Sequence, residues 1–336
     1  MRDYLVPELA AIADGFPKLN LADLASTREF IRQAAAHRAA YESNRTLSVT
    51  NVVLPGYQGE PDVAGRVYAP AEAAEAVPGL IYLFGGGYVA GSIDTIDYAS
   101  RPLADRAGIA VVAIAYRLAP ENPYPAALND AYAALRWVTS SAAVKLGIDP
   151  SRIGVLGESA GGGLAASLAL VARDRGGPRL IAQFLDAPTV DDRLATHSIR
   201  TLVDVPVWQP RNSPYSWGHY LRGTAKPGQA DVPLYAAPGR ASIDDVADLP
   251  HGVRHLLSSG PHSRRRTALR ADPDPGRSAH RPAPLCRGPP RRARRLSWHD
   301  DRHSHDHRPP RGNRTPPGQT AIVRAWAVRP SSKGTY

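Results

Sequence analysis

The stretch IGVLGESAGGG, residues 153–163, constrains the fold more than any other part of the chain. An apolar run that predicts a strand leads into residues 157–161, G-E-S-A-G, and then into a helical segment. Small residues two positions before and after Ser159 permit a strained strand-to-helix turn that lifts the serine hydroxyl out of a sheet. The pattern G-x-S-x-G is also found in ordinary Gly/Ser loops, but its place between a strand and a helix predicts a nucleophile elbow.

Strands and helices alternate around this elbow. Four apolar runs predict buried strands: residues 79–84, 109–116, 152–157 and 180–188. Helical segments such as 126–140 separate them, and this alternation predicts a parallel sheet with helices on both faces. Residues 45–70 alternate in the manner of a two-stranded hairpin, and residues 8–42 have the spacing of one or two helices. The predicted fold class is α/β.

A second motif, LFGGGYVAGS at residues 83–92, directly follows a predicted strand. Its glycines Gly85, Gly86 and Gly87 allow backbone N–H groups to converge on a carbonyl oxygen without side chains in the way. With the amide of Ala160, which follows the serine, they form a candidate oxyanion hole. A flexible glycine loop and a phosphate cradle are the alternatives, and the absence of a following Lys-Ser/Thr disfavours the cradle.

Together these motifs resemble a known family. The order G-G-G-Y-x-x-G-S, AYRLAPENPYPAALNDAYAALRWV and DPSRIGVLGESAGGGLAASLAL is similar to the hormone-sensitive-lipase-like branch of the α/β-hydrolases, esterases and lipases with an H-G-G-G loop. The resemblance covers roughly residues 40–250. Two positions depart from the family pattern: Phe84 replaces the loop histidine, and Glu158 replaces the aspartate that commonly precedes the serine.

The resemblance carries expectations about domains and chemistry. It implies an α/β-hydrolase core at 46–250, a doubly covered, mostly parallel sheet, with a helical cap built from residues 1–45 and about 190–230. It also implies hydrolysis of carboxylic esters with short to medium acyl chains through an acyl-enzyme on Ser159, without a cofactor or a metal ion.

Charge divides the chain in two. From His251 onward there are 18 Arg and 1 Lys against 5 Asp and no Glu, a net charge of +14, whereas the whole chain carries +10. The same segment holds 8 of the 11 histidines and no apolar run typical of a strand. Residues 251–336 are therefore predicted to be a basic, Arg/Pro/His-rich, disordered tail.

The family's triad acid and base are not written in this sequence. The resemblance places the acid in the motif D-P-x-R-D-E-G after the seventh strand and the histidine in Y-x-G-x-x-H-G, about 30 residues further on. However, codons for residues 260–266 can be chosen that spell D-P-T-R-D-D-G when read from the second base, and codons for residues 285–291 likewise spell Y-A-G-A-P-H-G. Two matches in one frame at this spacing indicate that the gene changes frame near residues 250–260, replacing the last two strands.

Other assignments remain open. Asp186, after the sixth predicted strand, is a weak alternative acid, while His197 and His219 fall in the predicted cap and are poor candidates for the base. A non-catalytic pseudoenzyme that binds ligands in the same pocket is the competing function. The arginines of the tail could contact nucleic acid, but only one aromatic, Trp298, precedes the last dozen residues, so no nucleic-acid partner is expected.

Composition bears on location and partners. A single cysteine, Cys286, and an N-terminus without a basic region followed by an apolar one give no sign of secretion, so a cytoplasmic protein is expected. No apolar run approaches the length of about 18 to 20 residues that spans a bilayer. The predicted partner is a small-molecule ester, with a homo-oligomer as a possibility the sequence leaves open.

Overall fold

A single seven-stranded sheet organises the part of the chain that the structure, a computed structural model, describes: residues 15, 17–201, 205 and 207–255. The strands are β1 Leu47–Leu54, β2 Val63–Pro70, β3 Val77–Leu83, β4 Ala110–Ile114, β5 Ile148–Glu158, β6 Ala182–Asp186 and β7 His251–His255. The helices are α1 Leu24–Ala36, α2 Asp97–Ala107, α3 Ala126–Val138, α4 Ser141–Val144, α5 Ala160–Asp174, α6 His197–Thr201 and α7 Asn212–Tyr220.

The strand order is β1-β2-β4-β3-β5-β6-β7. β1 and β2 form the predicted antiparallel hairpin, β2 pairs antiparallel with β4, and every later pairing is parallel. The four apolar runs correspond to β3, β4, β5 and β6. The prediction of a mostly parallel α/β sheet is confirmed.

The core is densest around the strand and helix that carry Ser159. All five residues of β4, in the middle of the sheet, are buried. Residues Ala160–Ala172 of α5 are buried without exception, as in a helix covered on all sides rather than along one stripe. The element that follows the serine is therefore fixed by packing along almost its whole length.

β7 extends the sheet five residues beyond Pro250, into the segment predicted to be out of frame. It pairs in parallel with β6, from Ala182 opposite His251 to Asp186 opposite His255. Parallel pairing uses backbone N–H and C=O groups, which every residue except proline supplies, so the proline-free β7 can pair without an apolar pattern. The remainder of the predicted tail, from residue 256, lies outside the described residues.

A segment before the sheet contacts a segment that lies between β6 and β7. Lys18 forms a parallel β-bridge with Val207. The buried side chain of Asn212 accepts a hydrogen bond from the Leu21 amide (3.0 Å) and donates one to the Leu19 carbonyl oxygen (2.8 Å). These are the two segments that the resemblance assigns to the cap, whereas residues 1–14 and 16 lie outside the described part.

No helix among the residues described has both the length and the apolar character needed to cross a membrane.

Candidate active site

Ser159 occupies a sharp turn between the end of β5 and the start of α5. Its φ of 53° and ψ of −115° are unusual for a residue with a side chain. A Cβ at Gly157 would lie 2.0 Å from the carbonyl oxygen of Gly161, and a Cβ at Gly161 would lie 2.0 Å from that of Leu83. Both flanking positions therefore require glycine, because the backbone approaches too closely for any larger residue.

The backbone around Ser159 is tied to the loop after β6. The Ser159 amide donates to the Asp186 carbonyl oxygen (2.8 Å), and the Thr189 amide donates to the Ser159 carbonyl oxygen (2.8 Å). The Ser159 Oγ lies 3.4 Å from the Oγ1 of Thr189, its single hydrogen-bond partner within the described residues. Two backbone hydrogen bonds thus fix the turn at Ser159, whereas its hydroxyl group has one long hydrogen bond, to Thr189, among the described residues.

The glycine loop lies directly beside the elbow. A Cβ at Gly85 would lie 3.2 Å from both the Ser159 Cβ and the Glu158 carbonyl oxygen. Gly86 has a φ of 135° and Gly87 a φ of 62°, both in the left-handed region that favours glycine. The backbone of this loop is therefore close enough to Ser159 to serve a carbonyl group attached to it.

Phe84 occupies the position of the family's loop histidine. Its ring is 1% exposed and stacks on Tyr116 at a centroid distance of 4.1 Å and an interplanar angle of 14°. The Tyr116 hydroxyl in turn donates to the Phe84 carbonyl oxygen (2.7 Å). An aromatic pair and the hydrogen bond from Tyr116 therefore anchor the start of the glycine loop.

Two carboxyl groups end β5 and β6 side by side. Glu158 is the register partner of Asp186 in the parallel ladder. Partial burial of Glu158 and the negative charge of Asp186 raise the pKa of the Glu158 carboxyl, and the positive charge of Arg38 opposes them. Asp186, the alternative acid, thus lies beside Glu158, and its carbonyl oxygen accepts the hydrogen bond from the Ser159 amide.

Among the histidines whose side chains the structure describes, none hydrogen-bonds to the serine. His219 lies near Glu121, whose pKa its charge helps to lower, and His37 contacts the Gln33 carbonyl oxygen at 2.8 Å. His197 is exposed at the start of α6. Ser159, Ala160 and the glycine loop therefore come together, and no base is among the side chains described around them.

Thr189 is the contact that sequence reasoning missed. It follows Ser159 by 30 residues, and nothing in the local sequence APT distinguishes its hydroxyl from that of any other buried threonine. Only the parallel pairing of β5 and β6, which aligns the two strand ends, places it beside the nucleophile.

A serine on a strained strand-to-helix turn, facing a glycine loop at the carboxyl ends of a parallel sheet, defines the site type of serine hydrolases with this fold. Comparison with known proteins agrees: residues 80–253 match the family model described as the alpha/beta hydrolase fold. The chain belongs to this family, and its resemblance to the hormone-sensitive-lipase-like branch is confirmed.

Individual relatives are esterases by name. The chain is 42% identical over 195 residues to the carboxylesterase NlhH of Mycobacterium tuberculosis, covering 58% of this chain and 60% of NlhH. It is 36% identical over 248 residues to the esterase LipI of the same organism, covering 73% and 74%. The chain thus spans less than two thirds of the length of NlhH.

Solved structures agree as well. A bacterial heroin esterase superposes with a TM-score of 0.74 at 39% identity, covering 78% of this chain and 82% of that one. An esterase from Pyrobaculum calidifontis superposes with a TM-score of 0.66 at 32% identity, covering 77% and 81%.

Proposed function

We propose that this protein descends from, and retains the acylation site of, enzymes that hydrolyse carboxylic esters of small molecules. The observation that carries the proposal is Ser159 at a φ of 53°, with the glycine loop and the buried amino end of α5 beside it. The esterase relatives support it. A cytoplasmic location and a homo-oligomer remain predictions.

The proposed reaction follows from the geometry. The Ser159 Oγ attacks the acyl carbonyl carbon, and the developing oxyanion is held by amides of Gly85–Gly87 and by that of Ala160 at the start of α5. The alcohol leaves, and water then cleaves the acyl-enzyme. No step requires a cofactor or a metal ion.

The proposal has a second part: the chain as translated lacks the triad aspartate and histidine. Its support is the absence of both family motifs from the sequence, together with a serine whose hydroxyl, within the part described, contacts only Thr189. A serine without a base is a poor nucleophile, and loss of a triad member typically leaves about 10³- to 10⁴-fold acceleration over water. We therefore expect a nearly inactive esterase, which in the limit is a pseudoenzyme that binds esters.

The test compares two proteins in one assay. One is the chain as written, and the other is the product of the gene with its frame restored after about Pro250. We expect p-nitrophenyl butyrate to be hydrolysed by the restored protein and barely by the written one, and Ser159→Ala in the restored protein to abolish hydrolysis. Equal turnover by both proteins would show that the written chain contains a base we have not identified.

A further inference from the structure

The glycine loop, residues 85–91, is strained beyond its glycines. Besides Gly86 and Gly87, Gly91 has a φ of 102°, and Tyr88 has a φ of 65° although it carries a bulky side chain. Such conformations persist only where surrounding contacts determine them. The contacts that reach this loop therefore decide whether its amides keep their positions.

Several side chains bind the loop or its edges. Ser216 of α7 donates its hydroxyl to the Gly87 carbonyl oxygen (2.7 Å). The Tyr88 hydroxyl donates to the Thr189 carbonyl oxygen (2.7 Å). The buried Val89 carbonyl oxygen accepts from the Nε of Arg28 (2.7 Å), which lies on α1 more than sixty residues earlier in the chain.

Arg28 joins three segments through one planar group. Besides Val89, its Nη2 donates to the Ala119 carbonyl oxygen (2.9 Å), and Nη1 and Nη2 bind the two carboxylate oxygens of Glu121 (both 2.8 Å). The Ala119 amide itself donates to the Tyr88 carbonyl oxygen (3.0 Å). The guanidinium thus fixes the loop directly at Val89 and indirectly through the segment that binds Tyr88.

The chemistry of the group suits this position. Hydrogen bonds from a charged donor are roughly twice as strong as those between neutral groups, and the guanidinium presents its N–H donors in a fixed fork. The hydrogen bonds from Arg28 lower the pKa of Glu121 to about 2, so that the carboxylate keeps its charge at pH values where a free glutamate is already protonated. A lysine ammonium is a compact point charge and cannot reproduce this planar set of contacts.

We propose that Arg28 is a positioning residue that holds the strained glycine loop in its oxyanion-binding conformation from the first cap segment. The effect of Arg28 on catalysis rests on the proposed function, whereas its effect on the conformation of the glycine loop does not. It assigns to the cap helix α1 a role in the geometry of the reaction centre besides covering it. A misplacement of about 1 Å at a catalytic group costs up to about a hundredfold in rate, so small movements of this loop matter.

The primary test is hydrogen–deuterium exchange of residues 85–91 in the full 336-residue chain. Loss of a charged hydrogen bond in Arg28→Ala should accelerate exchange of these amides by about tenfold, with Arg28→Lys restoring little of the protection. The matched control is Arg32→Ala on the same helix, whose guanidinium binds Glu29 (2.6 Å) within α1. Unchanged exchange in Arg28→Ala, or an equal change in Arg32→Ala, would overturn the proposal.

The second measurement is the rate at which a p-nitrophenyl alkylphosphonate ester labels Ser159 in the frame-restored protein, with and without the substitutions at Arg28 and Arg32. The Oγ–P bond forms, p-nitrophenolate leaves and the serine proton passes to solvent, while the phosphoryl oxygen occupies the oxyanion site. We expect Arg28→Ala to slow labelling about tenfold to a hundredfold and Arg32→Ala to leave it unchanged. Equal rates in the two variants would contradict the proposal.

The two proposals fail in different ways. If Ser159 is not labelled even in the frame-restored protein, the proposed function fails, and hydrogen–deuterium exchange in the chain as written still decides the role of Arg28. Glu121→Gln adds a readout that a general loss of stability would not give. It keeps both carbonyl contacts of Arg28, so exchange of residues 85–91 should fall between the original chain and Arg28→Ala, and exchange as fast as in Arg28→Ala would count against direct positioning through Val89.

Discussion

Glu158, the residue before the nucleophile, lowers the stability of the folded chain when its carboxyl group is charged. Its carboxyl group is partly buried beside that of Asp186, and both conditions disfavour the charged form, which raises its pKa. Arg38 offsets part of this cost. The pKa of Glu158 is higher in the folded chain than its unfolded value of 4.5. The folded chain therefore loses stability as the pH rises from about 4.5 through the pKa of the folded state.

Replacing Glu158 by Gln removes this pH-dependent cost. Below about pH 4 the carboxyl is protonated in both folded and unfolded chains, so Glu158→Gln and the original chain should unfold at similar temperatures. At pH 7 the variant should unfold at a higher temperature. Thermal unfolding followed by circular dichroism between pH 4 and pH 7 measures the difference, and a difference that does not grow with pH would disprove the electrostatic account.

A residue-scale prediction also follows from the elbow. In Gly161→Ala the new Cβ would meet the Leu83 carbonyl oxygen at 2.0 Å, where neither strand nor helix can yield. We expect a loss of stability of about 3 kcal/mol or more, as for severe overpacking. The control Gly218→Ala, in α7 with no atom within 4 Å of its Cβ, should instead gain roughly 0.5 to 1 kcal/mol. Urea midpoints of the two variants should move in opposite directions.

At the scale of elements, the buried ion pair between Asp192 and Arg240 connects the loops that follow β6. The Asp192 side chain is fully buried and binds Arg240 through Nε (2.7 Å) and Nη2 (2.8 Å), and also accepts from the Gly228 amide (2.6 Å). Burial alone would raise the pKa of Asp192, but these hydrogen bonds outweigh it and lower the pKa. The pair joins the residues shortly after β6 to the backbone at Gly228 and to the 3₁₀ turn Pro238–Arg240 that precedes β7.

Breaking this pair should destabilise the segment between β6 and β7. Asp192→Asn leaves the Arg240 guanidinium without its counter-charge in a largely buried place, and we expect a loss of about 3 kcal/mol in the free energy of unfolding. The surface pair Glu29–Arg32 is the control, since Glu29→Gln should produce no change beyond that of other surface substitutions. Urea denaturation of both variants gives the comparison. Similar midpoints would show that the Asp192–Arg240 pair does not contribute to the stability of the fold.

At the scale of the whole molecule, residues 251–336 differ in composition and charge from the rest of the chain. Residues 251–336 carry a net charge of +14 within a total of +10, yet β7 draws its five residues from that segment. A change of reading frame accounts for the charge, the histidines and the missing triad motifs together, whereas a functional basic tail accounts only for the charge.

The gene itself tests this account. The nucleotides encoding residues 260–266 should spell D-P-T-R-D-D-G from the second base, and those encoding residues 285–291 should spell Y-A-G-A-P-H-G. Sequencing the DNA for residues 245–300 from an independent isolate provides the measurement. Codons that cannot spell either motif would disprove the frame change.

How far the sequence predicted the molecule depended on the range of the interactions involved. The elbow, the hairpin and the four apolar strands depend on neighbours a few residues apart, so their patterns were visible in the sequence. β7 was not predicted, because its pairing with β6 uses backbone groups and leaves no apolar signature. The contacts of Thr189 and Arg28 were equally invisible, since each partner lies 30 or more residues away.

The sequence by itself determined the α/β fold class, the nucleophile candidate and the glycine loop, because local sterics demand glycine around Ser159 and hydrophobic periodicity demands a covered parallel sheet. Only the tertiary structure decided what stands around the serine. Packing placed Phe84 on Tyr116, brought Glu158 beside Asp186 and carried Arg28 from the cap to the Val89 carbonyl oxygen. These are long-range contacts, and the free energy of the whole fold selects them rather than any local pattern.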